Sequence, residues 1–217
     1  MTAPGMDEHE AVVRSLTRVA APPLLPELRL HLADEPFAAW EAVAGERTED
    51  VPPPFWAFPW AGGQALGRHV LDHPGLVAGR RVLDLASGSG MVAVCAALAG
   101  AGHVTACDVD PLAATAVRLN AALNGARVDV LCADVLASRA PVRADVILAG
   151  DVCYDPDLAE VMTAFLRAQR RHGVDVLVGD PHRPYLPGGL TVLARYDVPG
   201  TGHLEERAVT PASVLRL

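Results

Sequence analysis

The sequence predicts an α/β fold with a mostly parallel sheet, helices on both faces and a closing antiparallel hairpin. Three observations predict it. From residue 80 onward, short runs rich in Val, Leu, Ile and Ala alternate with helical patterns, the rhythm of strands buried on both faces. The last two strand patterns follow one another with no helix between them. Five of the strand patterns carry an aspartate at or close to their carboxyl end, along the rim where open α/β sheets bind ligands.

Taken in order, residues 8–20 (EHEAVVRSLTRVA) put Val12, Val13, Leu16 and Val19 on one face and predict a helix. ELRLHLA (27–33) alternates as a short edge strand does. Residues 41–54 read as a polar, proline-rich approach. Residues 1–50 are therefore expected to form an N-terminal extension of helix and strand, and residues 51–217 the main domain. In PFWAFPWAGGQALGRHVLDHP (54–74), a cap containing Phe55, Trp56, Phe58 and Trp60 leads into a helix with Leu66, Val70 and Leu71 on its core side. Strands follow at RRVLDLA (80–86), HVTACDV (103–109), VDVLCAD (128–134), ADVILAGD (144–151) and DVLVGD (175–180). Helices are expected from about Gly90 to Ala99, over 111–125 with Pro at the first turn and Gly at the end, and over 156–173. LTVLARYDV (190–198) and EERAVTPASVLRL (205–217) complete the hairpin.

Composition excludes several classes. The 217 residues are 51% apolar and 20% charged, enough for a core and incompatible with global disorder. A net charge of −8 argues against a general nucleic-acid binder and is compatible with a cationic partner. No apolar run reaches the length of a membrane span. The opening MTAPGMDEHE is acidic where a signal peptide is basic, so a cytoplasmic protein is expected. The chain contains no lysine, which excludes lysine Schiff-base chemistry and a P-loop. Cys95, Cys107, Cys132 and Cys153 lie far apart, with no C-x-x-C and no histidine at ligand spacing, so packing is expected of them and no metal site is.

The candidate site begins at VLDLASGSGMVA, a strand, a turn of small residues and a helix start. Glycines let backbone approach a ligand, and the helix N-terminus offers unpaired N–H groups. Asp108 ends the next strand, where a carboxylate can accept both hydroxyls of a ribose. Gly88, Gly90 and Ala93 also match G-x-G-x-x-A, so a nicotinamide-dependent oxidoreductase is one reading. Asp84, inside the strand, would repel a pyrophosphate but suits loop amides or a ligand ammonium. Asp134 could accept an adenine amine. A ligand with an amino-acid ammonium, a ribose and an adenine satisfies all three acids: S-adenosylmethionine (SAM).

VLDLASGSG, CDVDP and CADVL resemble the successive SAM-binding motifs of the Rossmann-like seven-stranded SAM-dependent methyltransferase fold. The resemblance implies Asp84, Ala86, Ser87, Gly88 and Gly90 around the methionine part, Asp108 at the ribose and Asp134 near the adenine. That family usually has glycine where this chain has Ala86. If the position demands only a small residue, alanine sits there without strain; if it demands positive φ, alanine is strained.

ILAGDVCYDPD (147–157) places three aspartates in seven positions. Asp155 reads as the N-cap of the following helix, with Pro156 in its first turn and Asp157 complementing its dipole. Asp151 remains as a charged acceptor suited to an aliphatic amine, with Tyr154 as a wall or hydrogen-bond partner. PFWAFPWAGGQAL, GDVCYD and GDPHRP together resemble the lysine methyltransferases of the electron-transfer flavoprotein (ETF) β subunit, from about Pro26 to about Pro184. The resemblance implies a cofactor-binding role for Trp60, Gly63, Gln64 and Asp151, a catalytic role for Asp151 and Tyr154, and a substrate-side position for Asp180 and Arg183. It implies SN2 methylation of a protein lysine, with ETF β the leading substrate. A ribosomal-protein lysine, a small amine, or a non-catalytic partner function are the other readings.

Overall fold

The computed structural model describes residues 6–45, 51–137, 141–200 and 208–217. Its centre is a seven-stranded sheet, with β3 (Arg81–Leu85), β4 (His103–Asp108), β5 (Asp129–Cys132), β6 (Val146–Gly150) and β7 (Asp175–Asp180) all parallel. The spatial order is β5-β4-β3-β6-β7, followed by β9 (Val209–Arg216) and then β8 (Thr191–Pro199). The order reverses between β3 and β6, and that switch opens a crevice above their carboxyl ends. β9 is antiparallel to both of its neighbours. Pro211 lies in the part of β9 that pairs only with β8, so its missing N–H costs the β7 ladder nothing.

Alternation along the strands builds two core layers. Val82, Val146, Leu148 and Leu177 face α3 (Ala61–Asp72), α4 (Met91–Leu98) and α5 (Pro111–Leu123). Leu83, Leu85, Ile147, Ala149, Val176 and Val178 face α6 (Pro156–Arg171), meeting Met162, Phe165 and Leu166. Both faces being covered, these strands read as continuous apolar runs in the sequence.

The N-terminal region differs from its predicted form. The helix expected over 8–20 is α1 (Met6–Leu16), and Arg18–Ala20 forms β1, antiparallel to β2 (Leu30–Leu32). Thr17 Oγ1 bonds back to the Val13 carbonyl and to His31 Nδ1, so the helical face ends where the strand pair begins. Pairing partners 10 to 14 residues away override local periodicity here. Part of the stretch expected as a polar approach is instead the end of a second helix, α2 (Pro36–Ala44), with Pro in its first turn and Gly45 after its last residue at φ 59°. Residues 46–50 of that stretch, and 205–207 of the final strand pattern, lie outside the described residues. Leu25, Leu28, Leu30 and Leu32 pack on Met91, Val94 and Cys95 of α4, while Val13 and Ala39 join Trp56, Ala57, Phe58, Ala113 and Ala116. The N-terminal segments therefore share apolar clusters with the helices beside the crevice.

One contact positions α3. Its first turn carries Gly62 and Gly63, which meet Gly179 of β7 and Gly150 of β6 backbone to backbone. A Cβ on Gly150 would stand 2.9 Å from the Gly63 Cα, and one on Gly179 would overlap the Gly62 carbonyl oxygen. Neither neighbour is a flexible side chain that could move aside. We expect Gly179→Ala to destabilise the fold by about 3 kcal/mol. Its denaturant midpoint checks this, and a midpoint equal to that of the unaltered protein contradicts the contact.

Candidate active site

Four strand ends deliver acids to the crevice. Asp84 lies on the α3/α4 face of β3 and is buried, and its Oδ2 accepts the Ala93 N–H in the first turn of α4 at 2.9 Å. A helix amide thus answers a carboxylate that would otherwise be costly to bury. Burial nevertheless pushes its pKa well above the usual range. Between β3 and α4 the chain turns through Ala86, Gly88 and Gly90 at φ 53°, 51° and 74°. Of the two readings of position 86, smallness alone does not hold: the position demands a left-handed backbone, which strains an L-residue. Gly90 has no room for a Cβ because Val117 of α5 lies against it, whereas Gly88 faces the backbone of Phe55 and Trp56.

Asp108 accepts the Gly88 N–H at 2.8 Å on Oδ2 and the Asp110 N–H at 3.1 Å on Oδ1. It stands at the glycine turn, and Asp110 caps α5 through Leu112 N–H at 2.8 Å. Asp134 is exposed beyond β5 and accepts its own turn's Leu136 N–H at 2.9 Å. Ser87 donates its backbone N–H to the Cys107 carbonyl at 3.0 Å, while its hydroxyl is buried without a protein partner. A turn with a spare hydroxyl, a helix N-terminus behind it and acids at the next two strand ends is a donor and acceptor set that fits a nucleoside carrying an amino-acid group.

Alternation along β6 would aim residue 151 at the α6 face, since Ile147 and Ala149 go there and Gly150 meets Gly63 on the other. A left-handed φ of 58° at Asp151 turns its carboxylate back toward α3. Oδ2 then accepts the Gly63 N–H at 2.6 Å and Oδ1 the Arg183 guanidinium at 3.0 Å. The residue is 8% exposed. Burial pushes its pKa up to about 6, opposed by Arg183 and by the amides of Gly63 and Gly62. Tyr154 is half-exposed, its ring 5.2 Å from that of Phe55; Phe55 and Phe58 each lie 6.0 Å from Trp60. Trp60 Nε1 donates to the Phe55 carbonyl at 2.8 Å. Phe55, Trp60 and Tyr154 form an aromatic lip beside Arg183, the partner of Asp151, with Phe58 buried behind it. Asp155 and Asp157 behave as the helix signals anticipate: Asp155 caps α6 through Leu158 N–H at 2.9 Å, and Asp157 sits in the first turn.

Two of the expected residues are held inside the protein. Gln64 turns into the protein, with Nε2 donating to the Pro59 carbonyl at 2.7 Å and Oε1 accepting the Leu24 N–H at 3.0 Å. It holds the N-terminal segment against α3. Asp180 is fully buried beneath the turn after β7, where Oδ1 accepts the Arg183 N–H at 2.7 Å. Gly150 and Gly179 are not singled out by the sequence, and Phe55 is marked there only as part of the aromatic cap. The repeated Gly-Asp at 150–151 and 179–180 was the available signal for the two glycines. Among the described residues, no group of three or more His, Cys, Asp and Glu could hold a metal ion, and no helix is long and apolar enough to cross a membrane.

Sheet order, glycine turn and acid-ended strands together define a methyltransferase of the seven-stranded, SAM-dependent class. Solved structures agree on the fold. The chain is similar to magnesium protoporphyrin IX methyltransferase (ChlM) from Synechocystis PCC 6803 with bound SAH, at TM-score 0.52 and 16% identity, over 71% of this chain and 82% of that one. It is also similar to TrmN from Thermus thermophilus, at TM-score 0.50 and 26% identity, over 69% and 47%. A family model described as ribosomal protein L11 methyltransferase (PrmA) matches residues 69–172. The electron transfer flavoprotein beta subunit lysine methyltransferase of Rattus norvegicus is 38% identical over 88% of this chain and 76% of its own length. That of Xenopus laevis is 37% identical over 91% and 82%. The chain belongs to this family of lysine methyltransferases.

Two outcomes follow from the backbone and charge of the site. Ala86→Gly should stabilise the protein by about 0.5–1 kcal/mol, because relief of the left-handed strain exceeds the added entropy of the unfolded chain; thermal unfolding checks it, and a lowered midpoint contradicts it. Asp151 has a native pKa of about 6, above its value of about 3.9 in the unfolded chain. Its protonation therefore supports the native state fully below pH about 4, and that support is lost as pH rises through about 6. Asp151→Asn should gain on the unaltered protein by about 2–3 kcal/mol between those limits. Chemical denaturation at a series of pH values reads the difference, and parallel curves would contradict it.

Proposed function

We propose that the protein transfers the methyl group of SAM to a lysine ε-amine of a protein, with the β subunit of ETF as substrate. The observation that carries the reading is Asp151, a buried carboxylate at the topological switch point whose partner Arg183 lies beside an aromatic lip, in a chain similar to the named relatives over most of its length. The residues assigned to the cofactor are Asp84, Ala86, Ser87, Gly88 and Gly90 at its methionine part, Asp108 at the ribose and Asp134 at the adenine. Trp60 and Gly63 stand at the mouth, and Gln64 fixes the wall behind them. Bound SAM would supply a methyl carbon activated by its sulfonium.

The protein's own contribution is orientation. Asp151 and the aromatic rings hold an alkyl amine in line with the methyl, and Tyr154 forms one side of the passage. The amine must be neutral to attack, and free lysine has a pKa near about 10.4. The N-terminal segments are read as a cover on the cofactor side, supported by their shared clusters with Trp56, Phe58 and α5. Four free thiols suit a reducing compartment, and we place the protein in the cytoplasm. The match of residues 69–172 to the L11 methyltransferase model supports a second substrate, a ribosomal protein.

Incubation with labelled SAM and purified ETF, followed by peptide mass spectrometry, tests the proposal. Label on a lysine of the β subunit is the expected result. Label on ribosomal protein L11 alone would move the assignment to the second substrate, and label on neither would overturn both.

A further inference from the structure

Asp151 is already paired in this structure. Oδ2 is taken by the amide of Gly63, and Oδ1 by the guanidinium of Arg183 at 3.0 Å. Arg183 is not a loose surface cation. Its backbone N–H is held by Asp180 Oδ1 at 2.7 Å, its guanidinium carbon stands 6.0 Å from the centroid of the Trp60 ring, and its Nε is buried. Only a quarter of its side chain is exposed. His182, between Asp180 and Arg183, adopts φ 65° and pairs through Nε2 with Ser213 Oγ on β9 at 3.1 Å. A strained turn, a buried carboxylate and a bond to the neighbouring strand thus aim one cation at Asp151, beside the lip through which an amine would enter.

This arrangement changes what the acid can do. A bare buried carboxylate would bind a lysine as its ammonium ion, which has no lone pair to attack a methyl. With Arg183 in place the pair is close to neutral. An arriving ammonium is repelled by the guanidinium about as much as the carboxylate attracts it, whereas a neutral amine meets no such opposition.

We propose that Arg183 is a positioning residue that neutralises Asp151 and so makes the site select the substrate lysine as its neutral amine. The proposal rests on the lysine-methylating reading above and extends it. The ammonium gives its proton to solvent on entering. The amine lone pair then forms the N–C bond as the S–C bond to the methyl breaks and its electrons pass to sulfur. The methylated ammonium that results faces Arg183, which favours its departure or the loss of its extra proton.

Proton uptake and release on binding tests this without turnover. Calorimetry of ETF binding to the protein loaded with the demethylated cofactor is run at about pH 9, below the pKa of a free lysine and well above that of Asp151, in two buffers of different ionisation heat. The unaltered protein should release close to one proton per lysine bound, and Arg183→Met should release close to none, because Asp151 is then free to hold the ammonium. The pH dependence of kcat, which reports the bound lysine, should agree. Its midpoint should move up by about one to two units in Arg183→Met, a roughly tenfold to hundredfold loss at neutral pH recovered in alkali, and should stay in place in Arg183→Lys. Binding by the unaltered protein with no proton released overturns the proposal, and needs no folded variant to be read. An Arg183→Met enzyme slowed equally at every pH overturns it too, since the arginine would then be only structural. If the unaltered protein does not bind ETF at all, the substrate reading fails, and this proposal with it.

Discussion

The crevice depends on a backbone contact that only glycine permits. The first turn of α3 lies on the carboxyl ends of β6 and β7 with Gly62 and Gly63 against Gly179 and Gly150. At this separation the free N–H groups of the helix N-terminus reach a carboxylate at the strand end, and the Gly63 amide meets Asp151 at 2.6 Å. Side chains at these positions would push the helix away and leave the buried acid without its amide donor. The same contact fixes Trp60, immediately before the helix, and with it the aromatic lip.

A common device recurs along the rim. Asp84 takes an amide from the first turn of α4, Asp151 one from the first turn of α3, and Asp110 and Asp155 cap α5 and α6. Each acid is placed where a helix presents unpaired N–H groups and a partial positive charge. The two acids that are also buried keep raised pKa values despite this help, because desolvation outweighs the hydrogen bonds. Backbone strain is concentrated at the same level: Ala86, Asp151 and His182, following β3, β6 and β7, all have positive φ. Each redirects a chain that would otherwise continue along its strand, and at Asp151 the redirection moves the carboxylate from one face of the sheet to the other.

Much of the fold could be read directly. The parallel strands β3, β4, β6 and β7, together with α4, α5, α6 and the hairpin, are legible because a strand buried on both faces must be apolar throughout, and because Pro and Gly punctuate the helices between. Asp155 and Asp157 were recognisable as helix signals for the same local reason. The end of α1 was not, because β1 exists only through its pairing with Leu30–Leu32. α2 is marked by Pro36 and Gly45, but its last turn runs into a polar, proline-rich stretch that masks it.

By itself the sequence determined which chemical groups stand at the strand ends, since strand periodicity and the position of each aspartate are local properties. It also carried the family, through short motifs in a fixed order. Tertiary structure alone decided what those groups touch. Gln64 turned inward to clasp Leu24 and Pro59, Asp180 went beneath a turn, and Arg183 came to lie on Asp151, 32 residues away. Partnership between distant charges depends on backbone angles at a few strained positions and on how closely a helix can approach the sheet, and neither is written in any local pattern.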